Sequence, residues 1–133
     1  MAEAPVISII DDDPSVRTAT GRLLRSMGFS VYAFASAKEF LSSPQLGETS
    51  CVIADVEMPG MSGLELQERL IAHDHGKPII FITAFPQERA RERAMKAGAV
   101  DFLSKPFDQA RLLECVERAL RRRQNAAGPG GRD

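Results

Sequence analysis

Cysteine is scarce in this chain: Cys51 and Cys115 are the only two among 133 residues. Two unclustered thiols match neither a disulfide framework nor the ligand spacing of a zinc site. A reducing, cytoplasmic setting is the expectation. Long apolar runs are missing as well. No stretch approaches the ~20 residues that span a bilayer. The opening Met1-Ala2-Glu3-Ala4-Pro5 lacks the basic and apolar regions of a signal peptide. Excess charge is missing too, the formal net charge being -1. Bulk electrostatics therefore favour neither nucleic-acid nor membrane binding. What is present, 44% hydrophobic and 26% charged residues, is ordinary for a soluble globular protein. A chain of 133 residues is long enough for one domain with a real core.

Short apolar runs alternate with helical patterns. The expected strands are Val6–Ile10, Ser30–Phe34, Cys51–Asp55, Pro78–Thr83 and Val100–Ser104. Several are continuously apolar and rich in Val and Ile, as strands buried on both faces are. The first helix is expected from about Ser15 to Met27, with Gly28 as its stop. Ser36-Ala37-Lys38-Glu39 and Ser62-Gly63-Leu64-Glu65 have the form of capping boxes opening the second and third helices. A fourth spans about Gln87 to Ala97 and stops at Gly98. The fifth has Asp108 as N-cap and places Leu112, Leu113, Val116, Ala119 and Leu120 on one face. Its last turn holds Arg121-Arg122-Arg123, which suits the negative end of the helix dipole. From Gln124 the chain loses apolar periodicity and acquires Gly and Pro. Residues 124–133 therefore resemble a disordered tail or the start of a linker.

Five βα units in a row imply an α/β fold, a parallel sheet covered by helices on both faces. In such folds ligands gather at the carboxyl ends of the strands. Asp11, Asp12, Asp55, Thr83 and Lys105 all lie at or just past those ends. Carboxylates brought together repel: at ~4 Å and an effective dielectric near 20, one pair costs roughly 4 kcal/mol. A bound cation relieves this, and all-oxygen ligands favour Mg²⁺, Mn²⁺ or Ca²⁺ over zinc or copper. Mg²⁺ takes one or two carboxylates and leaves room for phosphate oxygens. A carboxylate can itself accept a phosphoryl group. Lys105 supplies a point charge, and Thr83 a hydroxyl donor.

Four pieces then carry a resemblance. They are Ile9-Ile10-Asp11-Asp12-Asp13, Asp55-Val56-Glu57-Met58-Pro59-Gly60-Met61-Ser62-Gly63, Ile82-Thr83-Ala84, and Ala97 through Phe107 with Lys105-Pro106 inside it. In this order and spacing the chain resembles a response-regulator receiver domain of two-component signalling, of the FixJ-like type. The resemblance covers the sequence to about residue 123. It implies a doubly wound, flavodoxin-like five-stranded sheet of order 2-1-3-4-5. It implies Asp55 as phosphoacceptor, with Mg²⁺ (or Mn²⁺) held by Asp11, Asp12, Asp55 and the backbone carbonyl of Glu57. Thr83 and Lys105 then bind phosphoryl oxygens, Phe102 is the switch aromatic, and the bond to Pro106 is cis. The implied donor is a sensor histidine kinase or a histidine phosphotransfer protein. The fourth helix, fifth strand and fifth helix form the signalling face, where a phosphorylation-dependent homodimer is expected. The domain itself touches no nucleic acid and no membrane. Output follows either through an adjoining or separate transcriptional module, or through protein–protein contact by a stand-alone receiver or phosphorelay intermediate.

Plainer roles compete at several positions. Asp13 is expected to cap the first helix ahead of Pro14 rather than to ligate metal. Periodicity alone makes Phe102 a core residue. His73 and His75 flank Asp74 in a loop expected on the edge opposite the acids. Arg89, Arg91, Arg93 and Lys96 alternate with Glu88 and Glu92, the pattern of a solvated helix face. The resemblance also implies that Glu57 and Phe85, two residues past Asp55 and Thr83, modulate phosphoryl lifetime: Glu57 puts a carboxylate near the path of water, and Phe85 is expected to shield it. A Mg²⁺-dependent aspartate phosphatase would carry an aspartate where Glu57 stands. A pseudo-receiver would lack part of the set Asp12, Asp55, Thr83 and Lys105.

Overall fold

The apolar runs become five strands: β1 (Val6–Ile10), β2 (Ser30–Phe34), β3 (Cys51–Asp55), β4 (Ile79–Thr83) and β5 (Asp101–Ser104). They come from a computed structural model that describes residues 4–73 and 75–127. All pair in parallel, in the order β2-β1-β3-β4-β5. Every residue of β3 and β4 is buried, whereas β2 at one edge is largely open to solvent. This is why the central strands are apolar without alternation. Pro78 and Val100 fall just outside the strands expected for them. Each still pairs at the sheet's margin, Pro78 through its carbonyl to the Val52 amide (2.9 Å) and Val100 through its amide to the Ile79 carbonyl (2.8 Å).

Between the strands run α1 (Pro14–Ser26), α2 (Ala37–Leu41), α3 (Gly63–Ala72), α4 (Glu88–Lys96) and α5 (Gln109–Ala127), with a short 3-10 turn at Pro44–Leu46. Their starts follow side-chain chemistry. Asp13 caps α1, with Pro14 in its first turn. Ser62 and Glu65 close a full capping box on α3. At α2 Ser36 accepts from the Glu39 amide, but Glu39 bonds back to Ala35 rather than to Ser36. Asp108 accepts the Ala110 amide at the head of α5. The sheet divides the core in two by alternation along each strand. Ile10, Val52, Ala54, Ile79 and Phe81 face the side of α2, α3 and α4. Ile7, Ile9, Cys51, Ile53, Ile80 and Ile82 face α1 and α5, meeting Leu24, Leu112, Val116 and Ala119. Both cysteines are free and buried, and no described helix is long and apolar enough to cross a membrane.

One boundary needs correction. α5 does not stop at Arg123; residues 124–127 continue it, and residues 128–133 lie outside those described. Gln and Ala extend an existing helix at little cost even with no apolar stripe. The arginines therefore sit within the helix. Arg122 donates instead to the Gly98 carbonyl beyond α4 (2.8 Å).

A second tie between α5 and β5 has no signature in the sequence. Asp101 is buried, and its Oδ2 accepts from Arg111 (2.9 Å) and Arg118 (3.0 Å), while Oδ1 accepts the Phe102 amide (2.7 Å). Burial pushes its pKa up, but these bonds together outweigh burial and bring it from 3.8 down to about 2. A carboxyl with a lowered folded pKa stabilises the fold above its unfolded pKa and loses that contribution as pH falls through the folded value. Both arginines are about half exposed, which screens the pair. Asp101→Asn is therefore expected to cost about 1–2 kcal/mol in urea unfolding at pH 7. That cost shrinks as the pH is taken below about 4 toward 2. A cost independent of pH would contradict the assignment.

Candidate functional site

Three strands deliver acids and a lysine to one edge. Asp11 follows β1, fully buried, its amide bonded to the Phe34 carbonyl (3.1 Å) and its Oδ1 accepting the Asp13 amide (2.9 Å). Asp12 beside it is exposed. Asp55 ends β3, nearly buried, and its Oδ1 accepts the Glu57 amide (3.1 Å). Lys105 follows β5, where the Lys105–Pro106 bond is cis. Its Nζ lies 3.0 Å from Asp11 Oδ2 and 3.0 Å from Asp55 Oδ2.

Burial is the largest influence on Asp55 and raises its pKa; the Asp11 charge adds to this, and the Lys105 bond opposes it without cancelling it. Lys105 is the mirror case. Burial pulls it down, but its bonds to Asp11 and Asp55 win and raise it. Asp13 is lowered by the hydroxyl and amide of Ser15, the bonds of a helix cap. It stands apart from the cluster, as its capping role requires.

One oxygen from each of Asp11, Asp12 and Asp55 lies within 4.8 Å of the others. Three carboxylates against the single Lys105 ammonium leave two negative charges in excess. An all-oxygen donor set of that charge fits a hard divalent cation such as Mg²⁺ or Mn²⁺. Among the described residues this is the only cluster with metal-ligand spacing. His73 and His75 are not in it; His73 closes α3 at the far end of the helix from Ser62, and Asp74 lies outside the described residues.

Thr83 ends β4, buried, one residue past Ile82, which stands in register with Asp55. Its hydroxyl accepts the Phe85 amide (3.1 Å), and its carbonyl accepts the Lys105 amide (2.8 Å). Phe85 is 68% exposed. Phe102 points into the core, its ring tilted against Phe81 with centroids 6.2 Å apart. On α4, Arg93 pairs with Glu68 of α3 rather than with the acids of its own helix. One supporting residue has no motif to reveal it: Arg17 donates to the Asp11 carbonyl (2.7 Å) and steadies the turn that carries the acids.

Residues 7–117 match the response regulator receiver domain family. The chain is 45% identical over 117 residues to Nodulation protein W of Bradyrhizobium diazoefficiens, covering 88% of this chain and 52% of that protein. It is 41% identical over 121 residues to the transcriptional regulatory protein FixJ of the same organism, covering 91% and 59%. The chain thus spans about half the length of the curated relatives it matches. Among solved structures, the response regulator StyR superposes with a TM-score of 0.87 at 44% identity, over 93% of this chain and 63% of that one. FixJ-N superposes at 0.81 with 34% identity, over 90% and 96%.

The raised pKa of Asp55 has a consequence for stability. Its ionised form is disfavoured in the fold, so the penalty is absent below 3.8 and grows as pH rises through the folded value. Asp55→Asn removes it. In chelator at neutral pH the variant is expected to melt at a higher temperature than the wild type, and the gap should close as the pH is lowered into the carboxylate range. A variant that melts lower at neutral pH would contradict the assignment.

Proposed function

This chain belongs to the response regulator receiver domain family, and on that premise we propose that Asp55 accepts a phosphoryl group from a sensor kinase or a histidine phosphotransfer protein. The observation that carries this is the setting of Asp55: a carboxylate ending a buried strand, bonded to Lys105 and gathered with Asp11 and Asp12.

An oxygen of Asp55 attacks phosphorus as the bond to the donor's imidazole nitrogen breaks, and the imidazole leaves with that electron pair. Asp11, Asp12, Asp55 and the main-chain carbonyl of Glu57 would hold Mg²⁺, or Mn²⁺ in its place. Such an ion supplies neutralisation of charge on the phosphoryl oxygens. Lys105, now shared between Asp11 and Asp55, exchanges one carboxylate for a phosphoryl oxygen. Thr83 donates its hydroxyl proton to another; accepting from Phe85 leaves that proton free to give. Asp55 stays the acceptor throughout, so the domain catalyses its own labelling and unlabelling and turns over no external metabolite.

The new charge draws Thr83 inward and biases α4 and Phe102 between two packings. The face of α4, β5 and α5 then meets a partner or a second copy. A relative that is a transcriptional regulator supports an output in transcription.

Incubation with acetyl phosphate and Mg²⁺ is expected to add one phosphoryl group to the wild type and none to Asp55→Asn, read by intact mass. Label retained in the variant would refute Asp55 as acceptor. Phe85, bulky and two residues past Thr83, is assigned the role of shielding the phosphoryl group from water. Phe85→Ala is expected to shorten the phosphoryl lifetime several-fold; an unchanged rate of label loss would sink that role and point to Glu57 as the dominant influence.

A further inference from the structure

Gly63 opens α3 and is buried. A Cβ placed on it would stand 2.3 Å from the Asp55 carbonyl oxygen and 3.0 Å from Cε1 of Phe81. Real Cβ atoms essentially never come within 3.0 Å of a neighbour. The Gly63 backbone is not in the left-handed region, so space rather than conformation demands glycine here.

The obstructed atoms are not free to yield. The Asp55 carbonyl belongs to the Asp55–Val56 peptide, whose N–H donates to the Ile82 carbonyl of β4 (3.1 Å). The Gly63 amide in turn donates to the Val56 carbonyl (2.9 Å) and closes the loop that leaves β3. The peptide behind the acceptor is thus held by β4 on one side and abutted by α3 on the other. Phe81 is fully buried and its ring meets Phe102. One missing side chain therefore makes room for two things, the main chain of Asp55 and the inner member of the aromatic pair.

We propose that Gly63 is a positioning residue for Asp55: its bare Cα sets where the acceptor carboxylate stands relative to Lys105, Asp11 and Asp12, and seats Phe81 beneath Phe102. The inference rests on reading Asp55 as the acceptor. A methyl group at position 63 tilts the Asp55–Val56 peptide or lifts α3, and either moves the carboxylate off its 3.0 Å bond to Lys105. A misplacement of ~1 Å in a reacting group can cost about a hundred-fold in rate.

The test compares the rate of labelling by acetyl phosphate at saturating Mg²⁺ in wild type, Gly63→Ala and Leu24→Ala, well below every melting midpoint. Leu24 is a buried residue of α1, packed on the other face of the sheet, so its truncation costs stability without touching Asp55. Gly63→Ala is expected to label at least about ten-fold more slowly, and Leu24→Ala at the wild-type rate. A wild-type rate in Gly63→Ala, or slowing in both variants in proportion to lost stability, overturns the proposal. If Gly63→Ala does not fold, Phe81→Leu is compared with Phe81→Leu/Gly63→Ala. The ring is then gone and the Asp55 carbonyl is the remaining obstruction; equal rates in that pair overturn the proposal. An unlabelled wild type counts against Asp55 as acceptor, and the inference falls with it.

Discussion

Lys105 holds together two carboxylates that the sheet forces into one place. Asp11 and Asp55 arrive on neighbouring strands, β1 and β3, and Asp11 is fully buried. Water cannot screen them, and their repulsion at such range is worth several kcal/mol, roughly 4 at ~4 Å. Lys105 comes from β5, two strands beyond β3 in the sheet, and its Nζ reaches both acids at 3.0 Å. The exit of β5 is in turn tied to β4 by the Lys105 amide on the Thr83 carbonyl. The order of the sheet and the balance of charge at its edge are therefore one constraint. With Asp12 added, three carboxylates face a single ammonium, an excess of two negative charges. The fold tolerates this excess because Asp12 remains in solvent, where an unpaired carboxylate is cheap.

The acids were legible in the sequence because, in a parallel sheet, place in the chain is place in space. Every strand ends at the same edge, so Asp11, Asp55, Thr83 and Lys105 could be grouped before any distance was known. Helix starts were legible for a local reason: Asp13, Ser62 and Asp108 act within three residues of themselves. What stayed hidden was non-local or depended on an absence. Asp101 meets Arg111 and Arg118 across separations of 10 and 17 residues that match no helical or strand period. Gly63 reads as an ordinary first residue of a capped helix; nothing local shows that α3 descends onto the Asp55 carbonyl. The end of α5 was misplaced because an apolar stripe marks where a helix is buried, not where it stops.

Phe102 shows how two readings of one residue can coexist. Periodicity gives it a core seat, and it has one, 8% exposed against Phe81. Its amide is fixed by the carboxylate of Asp101, which in turn holds α5 through two arginines. Phe102, on an edge strand, is thus anchored to α5 through Asp101 and to the core through Phe81.

The restraints on α4 are unevenly distributed, and the unevenness points toward the site. Its C-terminal end is fixed four ways. Gly98, at φ +102, lets the Ala99 amide fold back to the Ala94 carbonyl and its own to Met95, an αL closure that a side chain would strain. The buried Gln67 of α3 adds a second donor to that same Ala94 carbonyl at 3.1 Å. Arg122 holds the Gly98 carbonyl, and Arg93 pairs with Glu68. Among the described residues its N-terminal end has no comparable hold: Gln87 stands at the N-cap with no side-chain cap bond, after the exposed residues 84–86. Four amides at a helix start want partners, and here the cap supplies none from its side chain. The least restrained turn of α4 is thus the one joined to Thr83 by four residues. The bonds that hold α4 gather at Ala94 and Gly98, the end away from Thr83.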